Sequence, residues 1–280
     1  MRLVCGNRSL SLGRVAIMGV VNVTPDSFSD GGRYSELAHA VDRATELVSE
    51  GADIIDVGGE STRPRSTGTD VVEEIQRVVP LIKELVRRVS VPISIDTSKP
   101  EVMDAAVEAG AGLINDVCAL KNDGALSAAR DLGVPVCLMH MQGNPQSMQD
   151  SPYYDDVITE VREFLQQRVD TCLDAGIPRN QLLVDPGFGF GKNFNHNRSL
   201  ILELDQLQAL GLPITVGLSR KRFVGALLGD LSRDRSASSA GLALIAVQNG
   251  ANVVRCHDVS VTRDLIRSWE VLQNPDHDRG

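Results

Sequence analysis

PISIDTSKPEVMDAAVEAGAGLIN, residues 92–115, contains the unit from which most of this chain is built. The apolar run Pro92–Ile95 predicts a short buried strand, which ends at Asp96. Helical spacing follows over Pro100–Ala109, and the glycine after it is typical of a left-handed helix end. A second apolar run then ends at Asn115. The stretch therefore indicates a strand, a loop, a helix and another strand in that order.

The same order recurs along the chain. Strand-like runs rich in Val and Ile occur eight times, and most do not alternate with polar residues, which favours parallel strands buried on both faces. The runs are Val15–Val21, Asp53–Val57, Pro92–Ile95, Leu113–Ile114, Val134–Met139, Leu182–Val184, Pro213–Val216 and Asn252–Val254. Helical patterns cover Glu36–Glu50, Val71–Val89, Pro100–Ala109, Gly124–Leu132, Asp155–Ala175, Asn197–Leu210, Ala237–Asn249 and Val261–Leu272.

Eight alternating units in 280 residues predict an α/β fold, a closed (β/α)8 TIM barrel in a single domain that spans 1–280. Residues 1–14 precede the first strand, and Gly6-Asn7 could turn a small hairpin there. The tail 274–280 is expected to fray. Triplets that begin Gly-Ala at Gly51, Gly110 and Gly250 each close a helix before a strand, and they form a weak internal repeat.

Two helix starts carry capping signals. Asp70 with Glu73 predicts one start, and Ser98 with Glu101 predicts another, with a proline in its first turn. Pro80 lies inside the first of these helices and predicts a kink there.

Composition limits the function. The net charge of −9 argues against binding to nucleic acid. No run is long enough to span a membrane, and Met1–Leu12 lacks the apolar stretch of a signal peptide. The five cysteines are odd in number and show no C-x-x-C spacing, so we expect reduced thiols in a cytoplasmic protein.

Polar residues end all eight strand-like runs. Because the carboxyl ends of barrel strands share one rim, these side chains are expected to converge into one binding site. The residues at the ends are Asn22, Asp56, Asp96, Asn115, His140, Asp185, Ser219 to Lys221, and Arg255 with His257.

Carboxylates and an amide form the first candidate group at this rim: Asp96, Asn115 and Asp185. An Asp can accept two parallel N–H bonds from the edge of a guanine-like ring, and an Asn offers both a donor and an acceptor. Taken singly, each Asp is more simply a helix cap or a solvated group. Their shared position favours a flat heterocycle rich in nitrogen.

Cationic residues form the second group, and Arg and Lys bind phosphate oxygens by charge-assisted hydrogen bonds. The last strands of a barrel commonly hold phosphate. The members are Arg220, Lys221, Arg222, Arg255 and His257, with Arg63 and Arg65 on an earlier loop. A solvated basic turn is an equal explanation for Arg222 and Arg65.

Two small polar loops, Thr24–Gly32 and Ser61–Thr69, are candidates for mobile lids. Asn22 and Asp30 offer the hard oxygen ligands that Mg²⁺ prefers, completed by substrate phosphate. GFGFGK at Gly187–Lys192 lacks the spacing of a Walker phosphate loop and is not interpreted as one. The pair Met139 and Met141 is more often packing than cofactor contact.

Long motifs of this chain resemble dihydropteroate synthases of the bacterial type, in order and over nearly the whole length. The motifs are NVTPDSFSDGG (Asn22–Gly32), DVGGESTRP (Asp56–Pro64), DTSKPEV (Asp96–Val102), IND (Ile114–Asp116), LMHMQGNP (Leu138–Pro145), DPGFGFGKN (Asp185–Asn193), SRK (Ser219–Lys221) and RCHD (Arg255–Asp258). Cys256 stands where this family more often has an aliphatic residue, and its side chain is expected in the barrel wall.

The resemblance implies a folate-biosynthesis transferase. Para-aminobenzoate would displace diphosphate from 6-hydroxymethyl-7,8-dihydropterin diphosphate, with Mg²⁺, to give 7,8-dihydropteroate. The enzyme would be a homodimer inhibited by sulfonamides that compete with aminobenzoate. We expect the two loops to order only after the pterin diphosphate binds.

The resemblance also implies a role for each site residue. Catalysis falls to Asp96, Asp185 and Lys221, and the pterin would contact Asp96, Asn115, Asp185, Lys221, Met139 and Phe190. The diphosphate would contact Asn22, Thr62, Arg63, Arg255 and His257, with Asn22 also at the metal. Aminobenzoate would contact Thr62, Arg63, Pro64, Phe190, Ser219 and Lys221.

Two alternatives share the pterin site. A barrel that transfers a methyl group from a methyl-folate would use Asp and Asn in the same way, but it would not need the cationic cluster of Arg63, Lys221, Arg255 and His257. A non-catalytic pterin-binding paralogue should have lost Asn22, the first loop or the cationic pair, and all of these are present.

Overall fold

The computed structural model describes residues 1–23, 33–61, 68–144 and 146–273. In these ranges eight parallel strands surround one core in the order β8-β7-β6-β5-β4-β3-β10-β9, and a bridge between Val184 and Ile214 joins the two edges. The strands are β3 (Ala16–Asn22), β4 (Ile54–Gly58), β5 (Ile93–Asp96), β6 (Leu113–Asp116), β7 (Val136–Met139), β8 (Leu182–Asp185), β9 (Thr215–Gly217) and β10 (Val253–Cys256). The predicted (β/α)8 barrel is confirmed.

Helices surround the barrel. They are α1 (Arg33–Ser49), α2 (Val71–Arg88), α3 (Pro100–Glu108), α4 (Ala125–Leu132), α5 (Val157–Asp174), α6 (Phe194–Leu202), α7 (Arg222–Leu227), α8 (Ser236–Gln248) and α9 (Val259–Gln273). The single helix predicted over Asn197–Leu210 is wrong, because α6 ends at Leu202 and a 3-10 helix covers Leu204–Leu210. The buried leucines continue at helical spacing across the break, so the pattern did not reveal it. The six-residue α7 was too short for a pattern.

One predicted helix start is confirmed and the other is wrong in part. Oδ1 of Asp70 accepts the N–H of Val72 at 2.9 Å, as expected of a cap. Helix α3 instead begins after Lys99 without a side-chain cap, although Pro100 does lie in its first turn. The Ser98 hydroxyl instead donates to the buried carboxylate of Asp116, a charge-assisted hydrogen bond that turns this side chain toward β6.

Left-handed glycines close three of the helices, as the repeat predicted. Gly51, Gly110 and Gly250 have φ of 101°, 113° and 103°. The next N–H bonds back to a helix carbonyl, as from Ala52 to Leu47 at 2.9 Å. This is the closing pattern of a Schellman end, and it returns the chain to the start of the next strand.

A two-stranded hairpin, β1 (Arg2–Cys5) with β2 (Arg8–Ser11), closes the amino end of the barrel. Leu3, Cys5 and Leu10 are buried against the lowest layer of inward-facing side chains. That layer consists of Ala16, Met18, Ile54, Leu113, Cys137, Leu183 and Val253. The predicted hairpin is confirmed, and it keeps water out of that end.

The interior changes from apolar to polar within one step of the strand. Side chains two residues apart on a strand face the same side. Asp56, Asn115, Asp185 and Arg255 therefore stand one layer above Ile54, Leu113, Leu183 and Val253 of the apolar floor. All of these carboxylates and amides are at most 5% exposed. The barrel interior therefore has an apolar layer toward its amino end and a polar layer directly above it.

Replacing Arg8 with methionine should loosen the hairpin. The Arg8 guanidinium donates to the carbonyls of Val86, Val89 and Val91 at 2.8, 2.6 and 2.6 Å. Leaving these partly buried acceptors unpaired is expected to lower the free energy of unfolding by about 2 kcal/mol. Urea denaturation measures the change. The control Arg2→Met removes only an exposed bond to Ser9, and an equal loss in both variants would refute the role of Arg8.

Candidate active site

Arg255 stands at the centre of the polar layer. Its Nε donates to Oδ2 of Asp56 and its Nη2 donates to Oδ2 of Asp96, each at 2.6 Å. Nδ2 of Asn115 reaches the same Asp56 oxygen at 3.3 Å. Strands β4, β5, β6 and β10 therefore bring these four side chains together, as the shared rim predicted.

The single positive charge of Arg255 does not balance the two carboxylates, Asp56 and Asp96, that it bonds. Burial, which outweighs the Arg255 charge, raises the pKa of Asp96 to about 7, and the Asp56 charge adds to the rise. Oδ1 of Asp96 is buried and accepts no hydrogen bond from the part of the chain that the structure describes. A buried acceptor without a donor is costly, so this oxygen is suited to a ligand N–H.

Lys221 lies across the mouth from Asp96, on the turn before α7. Its Nζ donates to the Phe188 carbonyl and lies 4.5 Å from the centre of the Phe190 ring. Burial lowers the pKa of Lys221 to about 8, against the opposing charge of Asp185. Burial raises the pKa of Asp185, and the Lys221 charge opposes that rise. The carboxylate and the ammonium therefore face each other in a poorly solvated place.

An apolar wall adjoins these groups. Met139, Met141, Met148 and Val117 form a buried cluster, and Phe190 packs against it. Met139 is the last residue of β7 and lies in register with Asp185 of β8. Thioether and aromatic groups give a flat wall that suits the face of a planar ring.

Ser219 and His257 meet at the rim, although the sequence placed them in different subsites. Oγ of Ser219 accepts the His257 N–H at 3.1 Å and lies 3.0 Å from Nδ1. Arg220, between Ser219 and Lys221, has a φ of 58° and pairs through its guanidinium with Asp258 at 2.5 Å. Its charge is thus engaged at the surface, while the strained backbone directs its two neighbours toward the site.

Asn22 ends β3 beside the polar layer. A Cβ on Gly58 would lie 3.1 Å from Asn22 Oδ1 and 3.7 Å from the Asp96 Cβ. Within the described ranges no three His, Cys, Asp or Glu residues are grouped as metal ligands. A single amide oxygen fits Mg²⁺ only if phosphate and water supply the other ligands.

Several predicted residues lie outside the described residues. They are the loop Thr24–Gly32 with Asp30, the residues Thr62, Arg63, Pro64 and Arg65, and the tail 274–280. Ser61 and Thr69, which flank the second loop, are described. The N–H of Thr69 donates to Oε1 of Glu60 at 2.8 Å, so the two ends of that loop are held together.

Asp56 is the functional residue that the sequence interpretation undervalued. It was named only as a strand end, yet it is fully buried and holds Arg255 and Asn115. The signal was present as Ile54-Ile55-Asp56, where an inward apolar residue is followed two positions later by an inward carboxylate. The same i, i+2 pattern marks Asn115, Asp185 and Arg255.

Other sequence predictions can be compared with the structure. All five cysteines are free, and Cys256 packs in the barrel wall as expected. None of the described helices is both long and apolar enough to cross a membrane. The site contains both hydrogen-bond acceptors and cations. It is therefore equipped to bind a polar heterocycle and to stabilise charge.

Comparison with known proteins agrees with this chemistry. A family model described as pterin binding enzyme matches residues 18–257. Dihydropteroate synthase of Escherichia coli (strain K12) is 48% identical over 270 residues, which cover 96% of this chain and 96% of that protein.

Solved structures give the same result. Xanthomonas albilineans dihydropteroate synthase with 4-aminobenzoic acid superposes with a TM-score of 0.92 at 50% identity, covering 98% of each chain. The enzyme from that organism in complex with 7,8-dihydropteroate gives 0.89 at 47% identity, over 98% of this chain and 99% of the other. The barrel and its site are thus shared along almost the entire length.

Proposed function

The chain belongs to the dihydropteroate synthases, a family of pterin binding enzymes, and we propose that its polar layer is the site of their reaction. The enzyme condenses 6-hydroxymethyl-7,8-dihydropterin diphosphate with 4-aminobenzoate, giving 7,8-dihydropteroate and diphosphate. The observation that carries this conclusion is the meeting of Asp96, Asn115, Asp185 and Lys221 at one barrel mouth, in a chain 48% identical to a known synthase.

The pterin ring binds between the polar layer and the apolar wall. Its amino-amidine edge donates to the carboxylates of Asp96 and Asp185, and Asn115 meets the neighbouring edge with one donor and one acceptor. The unpaired Oδ1 of Asp96 supports this placement. Met139 and Phe190 cover the ring faces.

The diphosphate lies toward β3 and β10, where Asn22, Arg255 and His257 approach the rim. Mg²⁺, when bound by Asn22 and the diphosphate oxygens, supplies positive charge that eases departure of the leaving group. Arg255 is already engaged by two carboxylates. It therefore acts more by fixing Asp56 and Asp96 than by offering a free cation.

The reaction proceeds by dissociation. The C–O bond to the diphosphate breaks, the electron pair leaves with the phosphate, and a methylene cation conjugated with the pterin remains. The carboxyl groups of Asp96 and Asp185 stabilise this cation through space in their ionised forms, and the Asp96 form is populated above its pKa of about 7. The lone pair of the neutral arylamine nitrogen then forms the C–N bond. The resulting ammonium is acidic and releases its proton to water, a step that needs no strong general base.

Aminobenzoate binds beside Phe190, Ser219 and Lys221, at the outer edge of the pterin pocket. Ser219 is held by His257, so its oxygen has a defined position. By the family resemblance, Thr62, Arg63 and Pro64, which lie outside the described residues, also contact aminobenzoate. Sulfonamides, which share the shape of aminobenzoate, compete here.

The chain works as a cytoplasmic homodimer. Phe194, Leu202 and Ile245 are exposed apolar side chains on the neighbouring helices α6 and α8, with 39%, 52% and 39% exposure. Burying them against a second copy would remove apolar surface from water. Light scattering of the purified protein at micromolar concentration measures the mass, and a monomer at all concentrations would exclude this assembly.

The direct test is product formation from the two substrates. With Mg²⁺ present, we expect 7,8-dihydropteroate and diphosphate in equal amounts, detected by chromatography. EDTA should reduce the rate at least about ten-fold, since the charge on the leaving group is no longer neutralised, and added Mg²⁺ should restore it. A methyl-folate incubated with a methyl acceptor is the control substrate. Methyl transfer without dihydropteroate would replace this proposal, and pterin binding without any turnover would indicate a non-catalytic paralogue.

A further inference from the structure

A buried ammonium holds the segment Asp185–Lys192 (DPGFGFGK) that connects β8 to α6. Lys192 is 2% exposed, and its Nζ donates to the carbonyls of Gly187 and Phe190 at 3.0 Å each. Nδ1 of His140 lies 2.8 Å away. Three acceptors match the three N–H groups of an ammonium, so His140 accepts through Nδ1 and carries its proton on Nε2.

The electrostatics of this pair favour that arrangement. Burial lowers the pKa of His140 to about 2, and the Lys192 charge lowers it further in the same direction. The imidazole is therefore neutral and able to accept. Burial lowers the pKa of Lys192 well below its ordinary value, and the Lys221 charge lowers it further. The three converging acceptors oppose this fall, because they stabilise the charged form.

Other groups fix the remaining atoms of the segment. The Tyr154 hydroxyl donates to the Gly191 carbonyl at 2.9 Å, and Gln149 donates to the Gly189 carbonyl at 2.5 Å. The N–H of Gly189 donates in turn to Oδ1 of buried Asn197 at 2.7 Å. The segment is therefore held from several sides.

The glycines of the segment are required by close approach. Gly187 and Gly191 have φ of 68° and 62°. A Cβ on Gly187 would overlap the carbonyl oxygen of His140, and one on Gly191 would overlap that of Gln142. The GFGFGK sequence is thus a backbone packed against the end of β7, and its lysine points inward rather than to a phosphate.

The same segment forms one wall of the pterin site. Its Phe188 carbonyl accepts from Lys221, and its Phe190 ring lies under the Lys221 ammonium. The N–H of Gly187 donates to Oδ1 of Asp185 at 2.7 Å. Lys192 therefore bonds the carbonyls of Gly187 and Phe190. The same two residues contact Asp185 through the Gly187 N–H and Lys221 through the Phe190 ring.

We propose that Lys192 is a positioning residue for the pterin site. By holding the Gly187 and Phe190 carbonyls from behind, it sets the position of the Phe188 carbonyl and the Phe190 ring, and through them that of Lys221. The inference rests on the proposed function in one respect, because pterin diphosphate is the ligand whose binding it predicts.

The test is Lys192→Met, which keeps the length of the side chain and removes its three hydrogen bonds. Calorimetry with 6-hydroxymethyl-7,8-dihydropterin diphosphate and Mg²⁺ should show affinity about ten-fold weaker, since displaced site groups lose their alignment. The KM for 4-aminobenzoate should rise as well, because Phe190 and Lys221 also border the aminobenzoate subsite. A residue that only stabilised the fold would lower the melting temperature and leave the pterin affinity of the folded protein unchanged.

Two controls separate the inference from general damage. Lys83→Met changes an exposed lysine on α2 and should leave pterin affinity unchanged. Tyr154→Phe removes only the bond to Gly191 and should weaken affinity less than Lys192→Met. If Lys192→Met does not fold, Lys192→Gln, whose amide can still donate two bonds, replaces it and should show a smaller loss. Affinity of the folded variant within two-fold of wild type, or an equal loss in Tyr154→Phe, would overturn the inference.

The outcomes also distinguish the inference from the function. Wild-type protein that binds pterin diphosphate but makes no dihydropteroate would refute the proposed reaction and leave Lys192 to be judged by affinity. Wild-type protein that does not bind the pterin would overturn both.

Discussion

Arg255→Met should be the most damaging single substitution in the site. We expect turnover to fall about a thousand-fold, because the charges that face the reacting carbon lose their fixed positions. The free energy of unfolding should fall by about 3–5 kcal/mol, since removing one partner of a buried pair leaves the other charge uncompensated. Asp56 is fully buried and Asp96 nearly so, and the guanidinium bonds both at 2.6 Å.

The loss of stability should depend on pH in a definite direction. The pKa of Asp96 is already raised to about 7 in the folded protein. A raised pKa means that the folded state favours the protonated acid, so its stabilisation is complete below the unfolded pKa of about 4 and is lost as pH rises through 7. Without Arg255 the pKa of Asp96 rises further. The difference in free energy of unfolding between Arg255→Met and the wild type should therefore be larger at pH 8 than at pH 4.5.

Urea denaturation at both pH values, with steady-state rates, tests this prediction. Arg88→Met is a matched control, because Arg88 also pairs with a carboxylate, Glu84, but at 3.6 Å and on the surface. We expect it to change the free energy of unfolding by less than about 0.5 kcal/mol. Wild-type stability in Arg255→Met, or an equal loss in both variants, would refute the central role of this guanidinium.

The barrel was predictable because its units repeat. Each strand is short and buried, several helices end at a left-handed glycine, and the order repeats eight times. Errors of a residue or two in Pro92–Ile95 or Asn252–Val254 therefore did not change the topology. The helix predicted over Asn197–Leu210 was wrong for a physical reason. A 3-10 turn keeps leucines facing the core, so hydrophobic spacing does not reveal where the α-helix stops.

The sequence predicted which residues line the site, but it did not predict which of these residues bond to each other. The rule that strand ends share a rim placed Asp96, Asn115, Asp185 and Arg255 together. It did not show that Arg255 would be held by Asp56, because the choice of partner depends on the stagger of strands β4 and β10 around a closed barrel. Strand stagger is set by packing of all eight units, and no local pattern records it.

Lys192 shows a further limit of the sequence. GFGFGK was set aside because it lacks the spacing of a phosphate loop, and the structure agrees that its lysine is enclosed. Its partners are the carbonyls of the same segment and His140 at the end of β7. Because Lys192 bonds backbone carbonyls, no oppositely charged side chain in the sequence marks its partners. Its role can be recognised only from the structure.

Lys221→Met should separate catalysis from stability, in contrast to Arg255→Met. Pterin affinity and aminobenzoate use should both fall, with turnover reduced about a hundred-fold or more, because the ammonium faces Asp185 and lies over the Phe190 ring. The fold should be as stable as wild type at pH 7, or more so. The exposed variant Lys83→Met is the control and should change neither quantity.

The sign of the stability effect follows from the pKa of Lys221, which burial lowers to about 8. A lowered pKa means that the folded state disfavours the ammonium, so the stability associated with this group is present above the unfolded pKa of about 10.4 and is lost as pH falls through 8. At pH 7 the wild-type protein therefore holds the buried Lys221 charge at a cost to its stability, and methionine removes that cost.

Wild-type pterin affinity should also decline as pH rises through 8, and this decline should be absent in Lys221→Met. Thermal melts and pterin titrations from pH 6.5 to pH 9.5 measure both effects, and a destabilised Lys221→Met with an unchanged pH limb would show that Lys221 supports the fold rather than the ligand.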